Sequence, residues 1–290
     1  MRHCKLLFFL LAALWLSTVA PVDAQVQPTT VEGSAANKVK LADRQRLLTE
    51  QMGRSVCLVM GGIDPGSESD KARGSADLFH ATMMALRTGD ENMAILPEED
   101  PDVLAALDTV AAVFATYRAA TLQVGAGDLH AVPVGQILAL SDPLLALSNT
   151  TMRAVEQAHG PKGNRILSQT IELARRQIML SQKLTKEICF VALNINRVEM
   201  LSRLKGTLAA FSEAQDALER GNPAAGIMPP APGLAKKLAG VRQLWDPFAQ
   251  IANDVAAGAA LDEAGLMAVV DLSNKLLFKC KQAARSYAKL

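Results

Sequence analysis

Aromatic residues are scarce in this chain of 290 residues: 8 Phe, 2 Trp and 2 Tyr, or 4% in all. Cores of β proteins lean on aromatic and β-branched side chains, so a composition dominated by alanine, leucine and valine argues for packed helices. Net charge is also missing. The full chain carries 30 Lys+Arg against 29 Asp+Glu, and removal of residues 1 to 24 leaves 28 of each. Nucleic-acid binding depends on clustered bases that neutralise phosphates, which argues against that partner. Signatures of catalysis are absent too. There is no Cys-x-x-Cys-His for covalent haem, no Gly-x-Ser-x-Gly and no phosphate-cradling glycine loop. The four histidines, His3, His80, His130 and His159, are widely spaced, whereas a zinc or di-iron site needs His and carboxylate ligands on facing helices. Met83 and Met84 read as core filler rather than copper ligands. A non-enzymatic protein without a cofactor is expected.

What is present begins with a leader. Arg2 and Lys5 precede an apolar run, Leu6 to Ala20, and Val22-Asp23-Ala24 follows as a small-residue cleavage site. The run falls short of the roughly 20 residues that a spanning helix needs. Residues 1–24 are therefore read as a signal peptide cleaved near Ala24, with a retained N-terminal anchor as the alternative. The expected location is periplasmic or secreted. Three cysteines then remain, Cys57, Cys189 and Cys280, an odd number in a compartment that permits disulfides. The plain reading makes Cys57 and Cys189 small buried hydrophobes at equivalent positions. A Cys189–Cys280 bridge is the alternative, awkward for the helix positions these residues would occupy.

The chain repeats itself at an offset of 132 residues. Cys57, Val59, Phe79, Leu86 and Gly89 recur as Cys189, Val191, Phe211, Leu218 and Gly221. After a one-residue slip, Val110, Phe114 and Tyr117 meet Val241, Trp245 and Phe248. Such self-similarity marks two copies of one unit. Glycine and proline breakers divide the first into helices near 36–60, 69–88, 101–124 and 134–158. In the second they fall near 164–194, 198–220, 232–257 and 262–289. The break at Asn194-Ile195-Asn196 holds no Gly or Pro, so those two helices could also run on as one. The expected fold is all-α, two tandem antiparallel four-helix bundles spanning 36–160 and 161–290, with 25–35 as a loose lead-in.

The most informative repeat is polar. Leu41, Arg44, Gln45 and Leu48 recur as Leu173, Arg176, Gln177 and Leu180. Positions i, i+3, i+4 and i+7 share a helix face, so an arginine and a glutamine stand on a stripe where aliphatics are usual. A buried guanidinium requires a carboxylate, a carbonyl, water or an anion. One reading is an interhelix tie, and Glu172, one turn before Arg176, would serve the second copy. The other is an anion site. Arg46, replaced by Ile178 in the second copy, points to nearly the opposite side of its helix. It is either a solvated arginine or an anion contact where first helices meet, a task suited to its planar donor fork.

The segment from Ala42 to Glu50, Ala-Asp-Arg-Gln-Arg-Leu-Leu-Thr-Glu, resembles the A-G-R-Q-R-M-L-S-Q stretch of the N-terminal domain of type IV pili methyl-accepting chemotaxis transducers. Ala174 to Gln182 resembles it as well, and Leu244-Trp245-Asp246-Pro247-Phe248 is similar to that domain's L-W-x-P-F segment. The domain type is in turn similar to the sensor region of NarX-like nitrate/nitrite kinases. The resemblance implies a helical bundle that binds a small anion through first-helix arginines, and it places the nitrate-contacting arginine on Arg46. The first-helix glycine of the family is Asp43 and Arg175 here, and Ile178 stands where a second contact arginine would be. The expected function is thus an exported sensor-type protein that binds a small anion such as nitrate or nitrite. Arg44 and Arg176 would supply charge, Gln45, Gln177, Thr49 and Ser181 neutral hydrogen bonds, and Arg46 a contact across an interface. Signalling would pass through a separate partner protein, with the two copies pairing within one chain or in a homodimer. The alternative is a structural or partner-binding module of the cell envelope with no small ligand.

Overall fold

The computed structural model describes residues 30–160, 163 and 165–290. The expected signal peptide and the first residues of the expected lead-in lie outside the described residues. Among the described residues the chain forms eight α-helices: α1 Val31–Met60, α2 Pro65–Thr88, α3 Pro101–Gly125, α4 Ala131–His159, α5 Arg165–Ala192, α6 Arg197–Arg220, α7 Pro232–Ala256 and α8 Glu263–Tyr287. A single 3-10 turn, Pro223–Ala225, precedes α7. The all-α expectation holds.

The lead-in is corrected at its end, because α1 already begins at Val31. Thr30 caps it, its hydroxyl accepting from the Gly33 N–H at 3.0 Å. The polar residues that follow are tied down by the α2–α3 connection. Ser34 Oγ accepts from the Leu96 N–H at 2.8 Å, and Lys38 Nζ pairs with Glu98 at 3.0 Å. His159, at the end of α4, meets the same Glu98 at 2.8 Å.

Helices α1 to α4 pack on one another, α5 to α8 do the same, and α1 lies against α5. Local geometry recurs between the two sets. Phe79 stacks on Phe114 with centroids 4.2 Å apart, as Phe211 stacks on Trp245 at 4.1 Å. Gly89 and Gly221 both turn the chain with positive φ, and a Cβ on either would come within 2.9 Å of the backbone of Pro97 or Pro229. The break between α5 and α6 is real. Asn194 and Asn196 adopt left-handed conformations, the geometry that Gly62 and Asp64 adopt 132 residues earlier. Asparagine tolerates that region, which is why no glycine was needed.

Helices α1 and α5 run parallel and in register. Asp43 faces Arg175 at 3.9 Å, Cys57 is bonded to Cys189, and Gly61 approaches Leu193, each pair separated by 132 positions. The reading of Cys57 and Cys189 as free thiols is thereby corrected, as is the alternative bridge. They form the disulfide, with Cα atoms 6.1 Å apart, and Cys280 is free and buried. Burial pushes the Cys280 thiol well above its ordinary range.

Two helices, α3 and α4, are long and apolar enough to cross a membrane by length and composition. Both pack within the first set of helices, and α4 carries Asp142, whose carboxylate meets Arg203 at 3.0 Å.

Candidate functional site

Because α1 touches α2, α4 and α5, most of its circumference is covered, and every residue from Met52 to Val59 is buried. The polar stripe divides under that constraint. At 3.6 residues per turn, Arg44 and Gln45 point about 100° apart. Gln45 faces the core, while Arg44 and its counterpart Arg176 face solvent. The expectation of two arginines on a core stripe is therefore corrected. Gln45 Nε2 donates to the Phe79 carbonyl at 3.4 Å, and Gln177 Nε2 donates to Gln215 Oε1 at 2.9 Å. Thr49 Oγ1 donates to the Gln45 carbonyl at 3.0 Å, and Ser181 Oγ to the Ile178 carbonyl at 2.8 Å. These four side chains tie or satisfy helices from within the core.

Arg46 is buried at the junction of α1 and α5 rather than solvated. Its guanidinium donates Nη1 to Glu172 Oε1 at 2.6 Å and Nη2 to Glu172 Oε2 at 2.8 Å, and it also pairs with Asp43. Burial pulls its pKa down, but Glu172 and Asp43 outweigh that and hold it above its ordinary value. Glu172 thus crosses to the other helix set instead of serving Arg176. Ile178 packs against the hydrophobic core.

Arg46 and Arg176 do meet at one feature, a cleft of about 650 Å3 between α4, α5 and α6. Arg153, Lys183 and Arg203 bring further positive charge to it, and Glu156 and Glu172 stand on its wall. Leu145, Met152, Met179 and Leu180 give it an apolar floor. Among the described residues Arg176 makes no ion pair, and Arg153 Nη2 donates to Thr150 Oγ1 at 3.0 Å. Glu156 is held above the usual carboxylate range by burial and then by the charge of Glu172. Arg153, Lys183 and Arg203 were not singled out from sequence. Lys183, two helical turns after Arg176, was the legible signal; the other two required α4 and α6 to be placed.

Behind the cleft lies a buried ionic cluster. Lys186 pairs with Glu50 at 2.7 Å and donates to Ser141 Oγ at 2.8 Å. Glu187 accepts from Thr207 at 3.1 Å and lies 3.5 Å from Lys183. A glycine in mid-α1 makes room, since a Cβ at Gly53 would stand 2.7 Å from Lys186 Cδ. Burial raises the Glu187 carboxyl from 4.5 to about 7, opposed by Lys183 and Lys186, reinforced by Glu50 and eased by Thr207. The folded state therefore keeps a proton that the unfolded chain releases near pH 4.5. Stability from this group is greatest below pH 4.5, falls as pH rises to about 7, and then levels. In Glu187→Gln the decline should be smaller by about 3 kcal/mol between pH 4.5 and 8, read from urea unfolding at each pH. Parallel profiles for the two proteins would refute the assignment.

The family of type IV pili methyl-accepting chemotaxis transducer N-terminal regions matches residues 164–268. That segment runs from α5 into the start of α8 and includes Arg176, Gln177 and Ser181. The match points to a sensory, signalling type of module that interacts with other proteins. No curated protein and no solved structure matches the chain.

Proposed function

We propose that this protein is an exported, non-catalytic sensor module, built as two antiparallel four-helix bundles from an internal duplication, that takes a small anion and signals through a separate partner. The observation that carries the reading is Arg176, an arginine of the repeated Arg-Gln pair without an ion partner among the described residues, over a cleft that Arg153, Lys183 and Arg203 also line. The family match and the leader sequence support the sensory and periplasmic parts. Nitrate and nitrite are the first anions to consider, following the NarX-like resemblance. Arg46 sits at the rim, its donor fork held by Glu172, so an anion that reaches it must compete with that carboxylate.

A ligand that binds only the folded state raises the melting temperature by mass action. Purified protein at nitrate or nitrite 100-fold above its Kd should melt about 5 °C higher than in matched chloride, and Arg176→Ala should abolish the rise. A flat response from well-folded protein across both anions would overturn the anion reading. It would favour a second one, a structural or partner-binding module of the envelope. The specific observation on that side is that Gln45, Gln177, Thr49 and Ser181 each donate a hydrogen bond within the helix packing.

A further inference from the structure

A second cleft, of about 350 Å3, opens between α1, α2 and α8. Its wall repeats that of the first cleft 132 positions earlier. Arg44 stands for Arg176, Lys71 for Arg203, and Ser75 for Thr207. The charge balance differs, because among the described residues no acidic side chain lines this second cleft. The nearest carboxylate, Glu68, is buried behind it and already bonds Ser55 and Lys71, each at 2.7 Å.

Arg54 is the most deeply buried of the cations here. It is 4% exposed, stands 4.0 Å from Glu68, and donates Nη2 to Asn274 Oδ1 at 3.3 Å, while its Nε has no hydrogen-bond partner. Its counterpart Lys186 is instead neutralised by Glu50 at 2.7 Å. Arg44 and Lys281 make no ion pair among the described residues. Burial, then the charges of Arg44 and Arg285, hold the Lys281 ammonium below its ordinary pKa. Leaving several cations uncompensated at one partly buried place is costly, and an anion bound among them removes that cost.

The cations form two poles. Arg44 and Arg54 are ten residues apart on α1, about 15 Å of axial rise. Asn274 of α8 meets Arg54, so Lys281, seven residues further along that helix, stands about 10 Å away toward the Arg44 end, and Lys71 belongs to the Arg54 end through Glu68. Between the poles the wall is aliphatic: Leu47, Leu48 and Leu78. We propose that this cleft binds an aliphatic α,ω-dicarboxylate long enough to bridge the two poles, one carboxylate between Arg44 and Lys281, the other at Arg54, and the carbon chain against the leucines. The proposal extends the anion-binding reading to a second site and shares no lining residue with the Arg176 cleft.

Calorimetric titration of the protein with suberate, octanoate and nitrate tests it. Suberate should bind saturably and at least tenfold more tightly than octanoate, which has only one carboxylate. Arg44→Ala and Lys281→Ala, at an exposed and a half-buried position, should each weaken suberate at least tenfold, and Arg176→Ala should leave it unchanged. Absence of suberate binding to folded protein, equal affinity for octanoate, or suberate binding that survives in the Arg44→Ala/Lys281→Ala double variant would each overturn the proposal. The nitrate response and its dependence on Arg176 report separately on the first cleft, so one reading can fail while the other stands.

Discussion

Replacing Cys57 and Cys189 together with alanine should lower the melting temperature by about 10 °C, corresponding to a loss of about 3 to 5 kcal/mol. The bridge closes a loop of 132 residues, so in the chain-entropy view its removal releases a large unfolded-state freedom. Both sulfurs are fully buried at the α1–α5 junction, and alanine leaves a gap where the two sets of helices press together. Reductant at unfolding temperature should produce the same shift in the parent protein. Alkylation of denatured, unreduced protein should modify Cys280 and spare Cys57 and Cys189. A melting temperature unchanged within 1 °C, or alkylation of all three, would show that the bridge is not part of the native state.

Lys186→Met should cost about 3 to 5 kcal/mol, the usual penalty for stranding one partner of a buried pair. Lys186 is 2% exposed and Glu50 fully buried, so no water reaches the carboxylate once the ammonium is gone. Burial alone would discharge this lysine, but the charges of Glu50, Glu187 and Asp142 outweigh it and hold the ammonium above its ordinary pKa. The double variant Glu50→Gln/Lys186→Met removes both charges at once and should recover most of the loss, with a coupling of about 2 kcal/mol or more. Urea unfolding of the four proteins closes the cycle. A single variant within 1 kcal/mol of the parent would mean that the pair contributes little. A double variant no better than Lys186→Met would place the cost in packing, since Lys186 also fills the space beside Gly53.

Helix content was legible because it depends on local order along the chain. Six connections carry glycine or asparagine at positions with turn geometry, and the expected boundaries fall within a few residues of the observed ones. Residues 31–35 were misread because their helix is secured from outside, by Leu96 and Glu98 of a distant connection. The disulfide was missed for a related reason. Two cysteines 132 residues apart look independent until α1 and α5 lie parallel, when equivalent positions of the repeat become neighbours.

The candidate site shows the same division. Sequence periodicity marked Arg44, Gln45, Arg176 and Gln177 as unusual, but assigned each pair to one face. A helix covered by four neighbours has no single buried stripe, so the glutamines went inward and the arginines outward. Arg46 seemed free because its partner Glu172 is 126 residues away.

The sequence by itself determined the helices, their breaks and the repeat, since these follow from spacing and turn chemistry within one turn or one loop. The tertiary structure alone decided which arginine is neutralised and which is left to a cleft. Charge compensation depends on distances between helices that are remote in sequence, and within a low-dielectric interior a shift of a few ångströms changes its sign.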